Sequence, residues 1–247
     1  MRAVIMAGGR GTRLAPYTTV LPKPLMPLGD RPILDVLIRQ LVRAGVERVT
    51  ISVGHLGGIL EAWVRHEEDY GVPVDFLYES EPLGTAGALG SMKDPGETFL
   101  AMNGDILTTL DYGALVNFHR EQGSAATMAV RERSVRVDYG VVHADGGHRV
   151  IGLEEKPSLT YTVSMGVYAF DGSVIDEIPR GRHLDFPELL MRLVAEGRTV
   201  CAYPFAGYWR DIGNHDDYEQ AIIDFEQAPG DFLDPVLSAE PRWTPPS

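Results

Sequence analysis

Gly8, Gly9 and Gly11 follow a short apolar run at residues 3–6, and Arg13 and Lys23 come close behind them. Glycines lack Cβ atoms, so the backbone can take positive φ and aim several N–H groups at one anion. Arg13 adds a planar fork that matches phosphate oxygens, and Lys23, fixed between Pro22 and Pro24, adds a point charge. The predicted chemistry is the holding of a phosphate. Two familiar phosphate loops fail here. The dinucleotide pattern GxGxxG needs a glycine where Leu14 stands, and the Walker A pattern needs a lysine followed by Ser or Thr at the end of the loop.

Asp105 is the second candidate. It follows a fully apolar strand predicted at residues 98–102, through Asn103 and Gly104, and Gly104 permits close approach. In open α/β sheets ligands lie at the carboxyl ends of strands, which places Asp105 beside the glycine loop, suited to hold Mg²⁺ against a triphosphate. As a helix cap it would stand six residues too early for the helix expected from Asp111. Lysine usage gives an independent pointer. Nineteen arginines accompany only Lys23, Lys93 and Lys156, and two of these precede prolines, in Pro22-Lys23-Pro24 and Glu155-Lys156-Pro157. Where arginine serves most cationic positions, a retained lysine marks a need for a compact charge.

These residues need a scaffold. Helical periodicity from Asp30 to Gly45, strand patterns at 48–53 and 74–78, and a helix at 58–69 alternate at the spacing of βαβ units. The fold predicted is α/β, a Rossmann-like three-layer αβα sandwich with a largely parallel mixed sheet. Further strands are expected at 125–130, 165–170 and 199–203, with helices at 111–122, 186–196 and 216–227. Residues 139–143 and 150–154, joined through Asp145-Gly146-Gly147, read as an inserted antiparallel hairpin lid. One domain over 1–227 is expected, with a Pro-rich, loosely ordered tail at 228–247.

Composition narrows the function classes. The net charge of −13 argues against nucleic-acid and anionic-membrane partners. The single cysteine, Cys201, excludes an intrachain disulfide, fits a cytoplasmic location, and is expected to be buried between Val200 and Ala202. No signal peptide or membrane span is expected, and zinc spacings and the GxSxG elbow do not occur. A homo-oligomer is compatible with all of this.

The run GGRGTRLAPYTTVLPKPLMP at residues 8–27 closely resembles the signature of the sugar-1-phosphate nucleotidyltransferases, G-G-x-G-T-R-L followed by P-K-P. Three later segments continue the resemblance: Glu81 to Gly87, Glu154-Glu155-Lys156-Pro157, and Trp209-Arg210-Asp211-Ile212-Gly213. Together they cover residues 1 to about 225. The resemblance implies joining of a nucleoside triphosphate to a sugar 1-phosphate with release of pyrophosphate. It implies Mg²⁺ on Asp105 and Asp211, with Arg13 and Lys23 as catalytic cations. It places the nucleotide on Ala7, Gly8, Gly9, Gly11, Thr12, Glu81, Gly84, Thr85, Asn103 and Gly104. The sugar phosphate would meet Gly140, Glu155, Lys156, Ser164 and Gly166. One departure stands at Ser164, where many members have Asn, so sugar identity does not carry over. Longer members add a β-helix or acyltransferase domain after residue 228, which is not expected here.

The nucleobase hint is Glu81. Guanine presents adjacent N1–H and N2–H donors that suit a carboxylate, whereas uracil and thymine set one N–H between two carbonyls. The segment also resembles that of mannose-1-phosphate guanylyltransferases, so GTP is expected over dTTP, UTP or CTP. Rival readings are a non-catalytic sugar-nucleotide sensor and a nicotinamide-dependent dehydrogenase, the latter disfavoured by the missing third glycine.

Overall fold

Successive residues of the first strand face opposite ways, and both ways are apolar: Ala3, Ile5 and Ala7 join one buried cluster and Val4 another. Such a strand must be covered on both faces. A computed structural model, which describes residues 1–66, 69–79 and 81–233, has that arrangement. The chain begins with β1 (Arg2–Ala7), three single-turn helices at Thr12–Leu14, Tyr17–Thr19 and Lys23–Leu25, and a minimal hairpin, β2 (Pro27–Leu28) and β3 (Arg31–Pro32). Next come α1 (Ile33–Arg43), β4 (Arg48–Val53), α2 (Gly57–His66), β5 (Val74–Tyr78) and α3 (Gly84–Gly87). The middle of the chain holds β6 (Thr98–Asn103), β7 (Ile106–Thr108), α4 (Tyr112–Glu121) and β8 (Ala126–Arg136). The hairpin of β9 (Val141–Ala144) and β10 (Val150–Glu154) precedes β11 (Ser158–Asp171). Last are α5 (Phe186–Ala195), β12 (Val200–Pro204), β13 (Trp209–Asp211), α6 (His215–Gln227) and α7 (Pro229–Phe232).

Seven strands form one sheet in the order β12-β8-β11-β6-β1-β4-β5. All pairs are parallel except those of β11, which runs against both β6 and β8. Leu34, Leu37 and Leu41 of α1, Leu60 of α2 and Phe225 of α6 cover one face. Phe186, Leu189 and Leu193 of α5 cover the other, giving the three layers expected. Asp111 caps α4 by accepting from the Ala114 amide at 2.9 Å, so Asp105 has no capping duty there.

The structure departs from the pattern reading at several points. β8 and β11 run well past the expected 125–130 and 165–170, pairing from Ser158↔Arg136 inward as a two-stranded ribbon that carries the β9/β10 hairpin. The ribbon is almost wholly exposed from Glu132 to Arg136, so no buried face imposes an alternation that the sequence could display. Helix α1 starts at Ile33, since Arg31–Pro32 pairs with Pro27–Leu28 instead of opening the helix. Cys201 is half-buried, not buried, on the edge strand β12. The expected loose tail begins as the α7 turn, with Phe232 and Leu233 entering the core; residues 234–247 lie outside the described residues. Among the described residues no helix is long and apolar enough to cross a membrane.

Candidate active site

The glycine loop leaves β1 at the carboxyl edge of the sheet. Among its glycines only Gly11 takes positive φ, at 60°, and Thr18 Oγ1 donates to the Gly11 carbonyl at 2.8 Å to hold that turn. Gly8 is under a steric constraint of its own. It has ordinary φ, but a Cβ there would lie 2.7 Å from a Glu79 carboxylate oxygen. The loop and the segment after β6 enclose a pocket of about 290 Å³ lined by Ala7, Gly9, Gly11, Thr12, Arg13, Lys23, Gly104 and Asp105. Eight of the predicted residues therefore meet in one place. A larger hollow of about 1120 Å³ lies at the opposite end of the sheet, beside Glu97, His119, Asp171 and Arg198. Its most prominent cation, Arg198, is already paired with Glu177, and none of the motif residues reaches it.

Lys23, 8% exposed, ends in an ion pair with Asp105. Both were expected here, but the lysine meets this carboxylate directly. β7 and β13 pair antiparallel, Asp211 standing opposite Ile106, and the Ile212 amide donates to the Asp105 carbonyl at 2.9 Å. That clip fixes the two carboxylate-bearing segments to each other. A Cβ on Gly213 would sit 3.1 Å from Asp211 Oδ2 and 3.3 Å from Arg13 Nη1, so Arg13 and Asp211 share this corner. Burial pushes the Asp211 carboxyl up from its ordinary value and the Asp105 charge adds to the rise, against the pull of Lys23 and Arg13.

Could this corner hold a metal? Among the described residues no three His, Cys, Asp or Glu side chains form a self-sufficient cage. Two facing carboxylates whose charges repel are nevertheless a hard, all-oxygen pair. That suits a cation of the magnesium kind, which takes one or two carboxylates and completes its shell with water and substrate phosphate. The donor set fits.

The loop at residues 81–87 depends on a residue the sequence reading passed over. Glu79 accepts from Ser52 Oγ at 2.6 Å and from the Leu83 amide at 3.0 Å, tying the start of the 81–87 segment to the end of β4. A carboxylate directly after β5 was the available signal, the same one that singled out Asp105. Glu81 is exposed, and its carboxylate meets no partner among the described residues. Thr85 is committed inside the protein. Its amide and hydroxyl donate to Asp185 Oδ1 at 2.8 and 3.1 Å, and its hydroxyl accepts from the Phe186 amide at 2.9 Å. Gly84, with φ 76°, packs against the same segment, a Cβ there meeting the Leu184 carbonyl at 2.6 Å. Gly84 and Thr85 thus dock the loop on the start of α5.

The remaining group rides on the ribbon. Glu155 lies against Gly140, where a Cβ would be 3.2 Å from Glu155 Oε2, and Lys156 takes φ 46°, uncommon for a residue with a Cβ. Neither Glu155 nor Lys156 lines the glycine-loop pocket. The Ser164 hydroxyl is held at home, bonded to Tyr168 Oη at 3.0 Å and accepting from the Gly166 amide at 3.2 Å. Gly166 faces Asn103, and Trp209 Nε1 donates to the Met165 carbonyl at 2.9 Å while the ring packs, partly buried, against the core.

Comparison with known proteins gives one consistent answer. Residues 2–228 match the family model described as nucleotidyl transferase. The UTP–glucose-1-phosphate uridylyltransferase of Synechocystis is 32% identical over 242 residues, covering 90% of this chain and 62% of the relative. The mannose-1-phosphate guanylyltransferase of Mycobacterium tuberculosis is 32% identical over 228 residues, covering 90% and 64%. The chain thus spans less than two thirds of the length of these two curated relatives. Among solved structures, HddC from Yersinia pseudotuberculosis is 28% identical with a TM-score of 0.70, covering 91% of this chain and 99% of that one. A second HddC structure, complexed with GMP-PN, gives 0.69 at the same identity and coverage. With the family model spanning residues 2–228 and the glycine-loop residues meeting Asp105 in one pocket, the protein belongs to the nucleotidyl transferase family.

Proposed function

We propose that the protein transfers a nucleoside monophosphate from an NTP, GTP by preference, to a sugar 1-phosphate, releasing pyrophosphate. The observation that carries this is the convergence of Arg13, Lys23, Asp105 and Gly11 on the 290 Å³ pocket, with Asp211 fixed beside it. A phosphate monoester has its second pKa near ~6, so the sugar phosphate is already a nucleophile at neutral pH and no side-chain base is required. Its oxygen attacks the α-phosphorus, a new P–O bond forms, and the bond to the bridging oxygen breaks as pyrophosphate leaves with the electron pair.

The obstacle is charge. Two unit charges ~4 Å apart repel by about 4 kcal/mol at an effective dielectric near 20, and both reactants are polyanions. Arg13 and the loop amides would hold the departing pyrophosphate, while Lys23, leaving Asp105, would reach the triphosphate. A divalent cation on Asp105 and Asp211, magnesium by their donor chemistry, would offset the phosphate charge in the transition state. Lys156 and Glu155 would seat the sugar phosphate and a sugar hydroxyl, bringing the nucleophile in line.

GTP is supported by Glu81, whose unpartnered carboxylate is available to adjacent donors, and by guanylyltransferases among the relatives. The uridylyltransferase at equal identity makes UTP the second reading. The sensor reading is disfavoured because both carboxylates and both motif lysines are present. A cytoplasmic location accords with the single cysteine and with soluble sugar-nucleotide chemistry. The test is pyrophosphate release with a panel of sugar 1-phosphates, Mg²⁺ and each NTP in turn. GTP-dependent release is expected; UTP or dTTP preference overturns the base assignment, and no release with any pair overturns the activity.

A further inference from the structure

The sheet and the exposed ribbon are joined at one irregular point. β11 pairs with β8 as far as Ser164↔Val130 and resumes at Tyr168↔Met128, so four steps on one strand answer two on the other. The extra residues form a bulge around Met165 and Gly166, and bulges bend and re-aim the strand that carries them. The ribbon beyond it carries Glu155 and Lys156 on the turn that leads into β11.

Two side chains grip that bulge from outside. Trp209 donates its indole N–H to the Met165 carbonyl at 2.9 Å, and Asn103 sits so close to Gly166 that a Cβ there would be 2.6 Å from its Nδ2. Gly166, at φ 71°, could not accept a side chain without strain in any case. Trp209 stands two residues before Asp211 on β13, and Asn103 stands two residues before Asp105 at the end of β6. Each carboxylate-bearing segment therefore also holds the root of the ribbon.

Resting on the proposed reaction, we infer that Trp209 is a positioning residue: its N–H on the Met165 carbonyl fixes the ribbon's angle, and so sets Lys156 against the Asp105–Asp211 corner. The indole acts through the backbone of the bulge and takes no part in the chemistry.

Trp209→Phe keeps an aromatic ring and removes the donor together with part of the indole's bulk. The Michaelis constant for the sugar 1-phosphate should rise about three- to tenfold, the factor one neutral hydrogen bond supports, while that for the NTP stays within about twofold. Gly166→Ala should give the same split by displacing the bulge. Amide hydrogen exchange at residues 131–136 and 158–164, measured without substrates, should quicken in Trp209→Phe, with residues 8–14 unchanged. Equal changes in both Michaelis constants, or unchanged exchange in the ribbon, overturn the inference. If the native protein transfers no nucleotide, the exchange comparison still decides the joint, so failure of the proposed reaction and failure of this inference are told apart.

Discussion

Lys23 and Asp105 are 82 residues apart in sequence and form an ion pair at the floor of the glycine-loop pocket, the lysine buried and the carboxylate partly open. Each neutralises the other where a polyphosphate and its cation would have to enter. Under the proposed function, substrate binding would exchange this pair for new partners, and either residue's loss should affect turnover far more than folding.

Asp105→Asn keeps the shape and removes the charge. Turnover should fall by at least about a hundredfold, the scale typical of losing a directly placed electrostatic group, with a cooperative thermal transition retained. Steady-state rates with saturating Mg²⁺ and a melting curve on the same sample check this. Near-normal turnover removes Asp105 from the metal assignment.

Asp211 should show a conflict between stability and activity. A carboxyl whose folded pKa lies above its unfolded one binds its proton more tightly when folded. Its contribution is then most favourable below the unfolded value and is lost as pH rises through the folded value. At neutral pH the ionised group costs stability, so Asp211→Asn should raise Tm by on the order of 2–4 °C while turnover collapses. The gain should shrink towards pH 4, and added Mg²⁺ should stabilise the native protein more than the variant. A lower Tm for the variant at pH 7 contradicts the charge argument.

Lys156→Arg retains the charge but replaces a compact ammonium with a wider planar group. The sugar-phosphate KM should rise by roughly tenfold or more, with the NTP constant little changed. A silent substitution would show that the scarcity of lysine in this chain carries no functional information at position 156.

Glu79 and Glu81 should separate in mutant kinetics. Glu79→Ala unties the Leu83 amide and Ser52 Oγ, so the NTP KM should rise for every base alike. Glu81→Gln should instead narrow the preference for GTP over UTP, by about tenfold if its carboxylate reads the base edge, since charged hydrogen bonds contribute about 1.5–3 kcal/mol. The same ranking of NTPs in native and Gln proteins would leave Glu81 as a solvated loop residue.

The sequence by itself determined the alternation of strands and helices, because apolar periodicity is local and both faces of β1, β4 and β6 are buried. It determined the candidate loop as well, since Gly11, Arg13 and Lys23 lie within one short segment whose turns close on themselves. Tertiary structure alone decided how the groups meet. The Lys23–Asp105 pair, the docking of Thr85 on Asp185 at a separation of 100 residues, and the grip of Trp209 on Met165 at 44 join segments that no local pattern connects. The length of the ribbon was hidden for a different reason. Residues 132–136 and 158–162 are exposed on both faces, so burial imposes no alternation on them, and their pairing follows from the register that begins inside the sheet at Ala126 and Phe170.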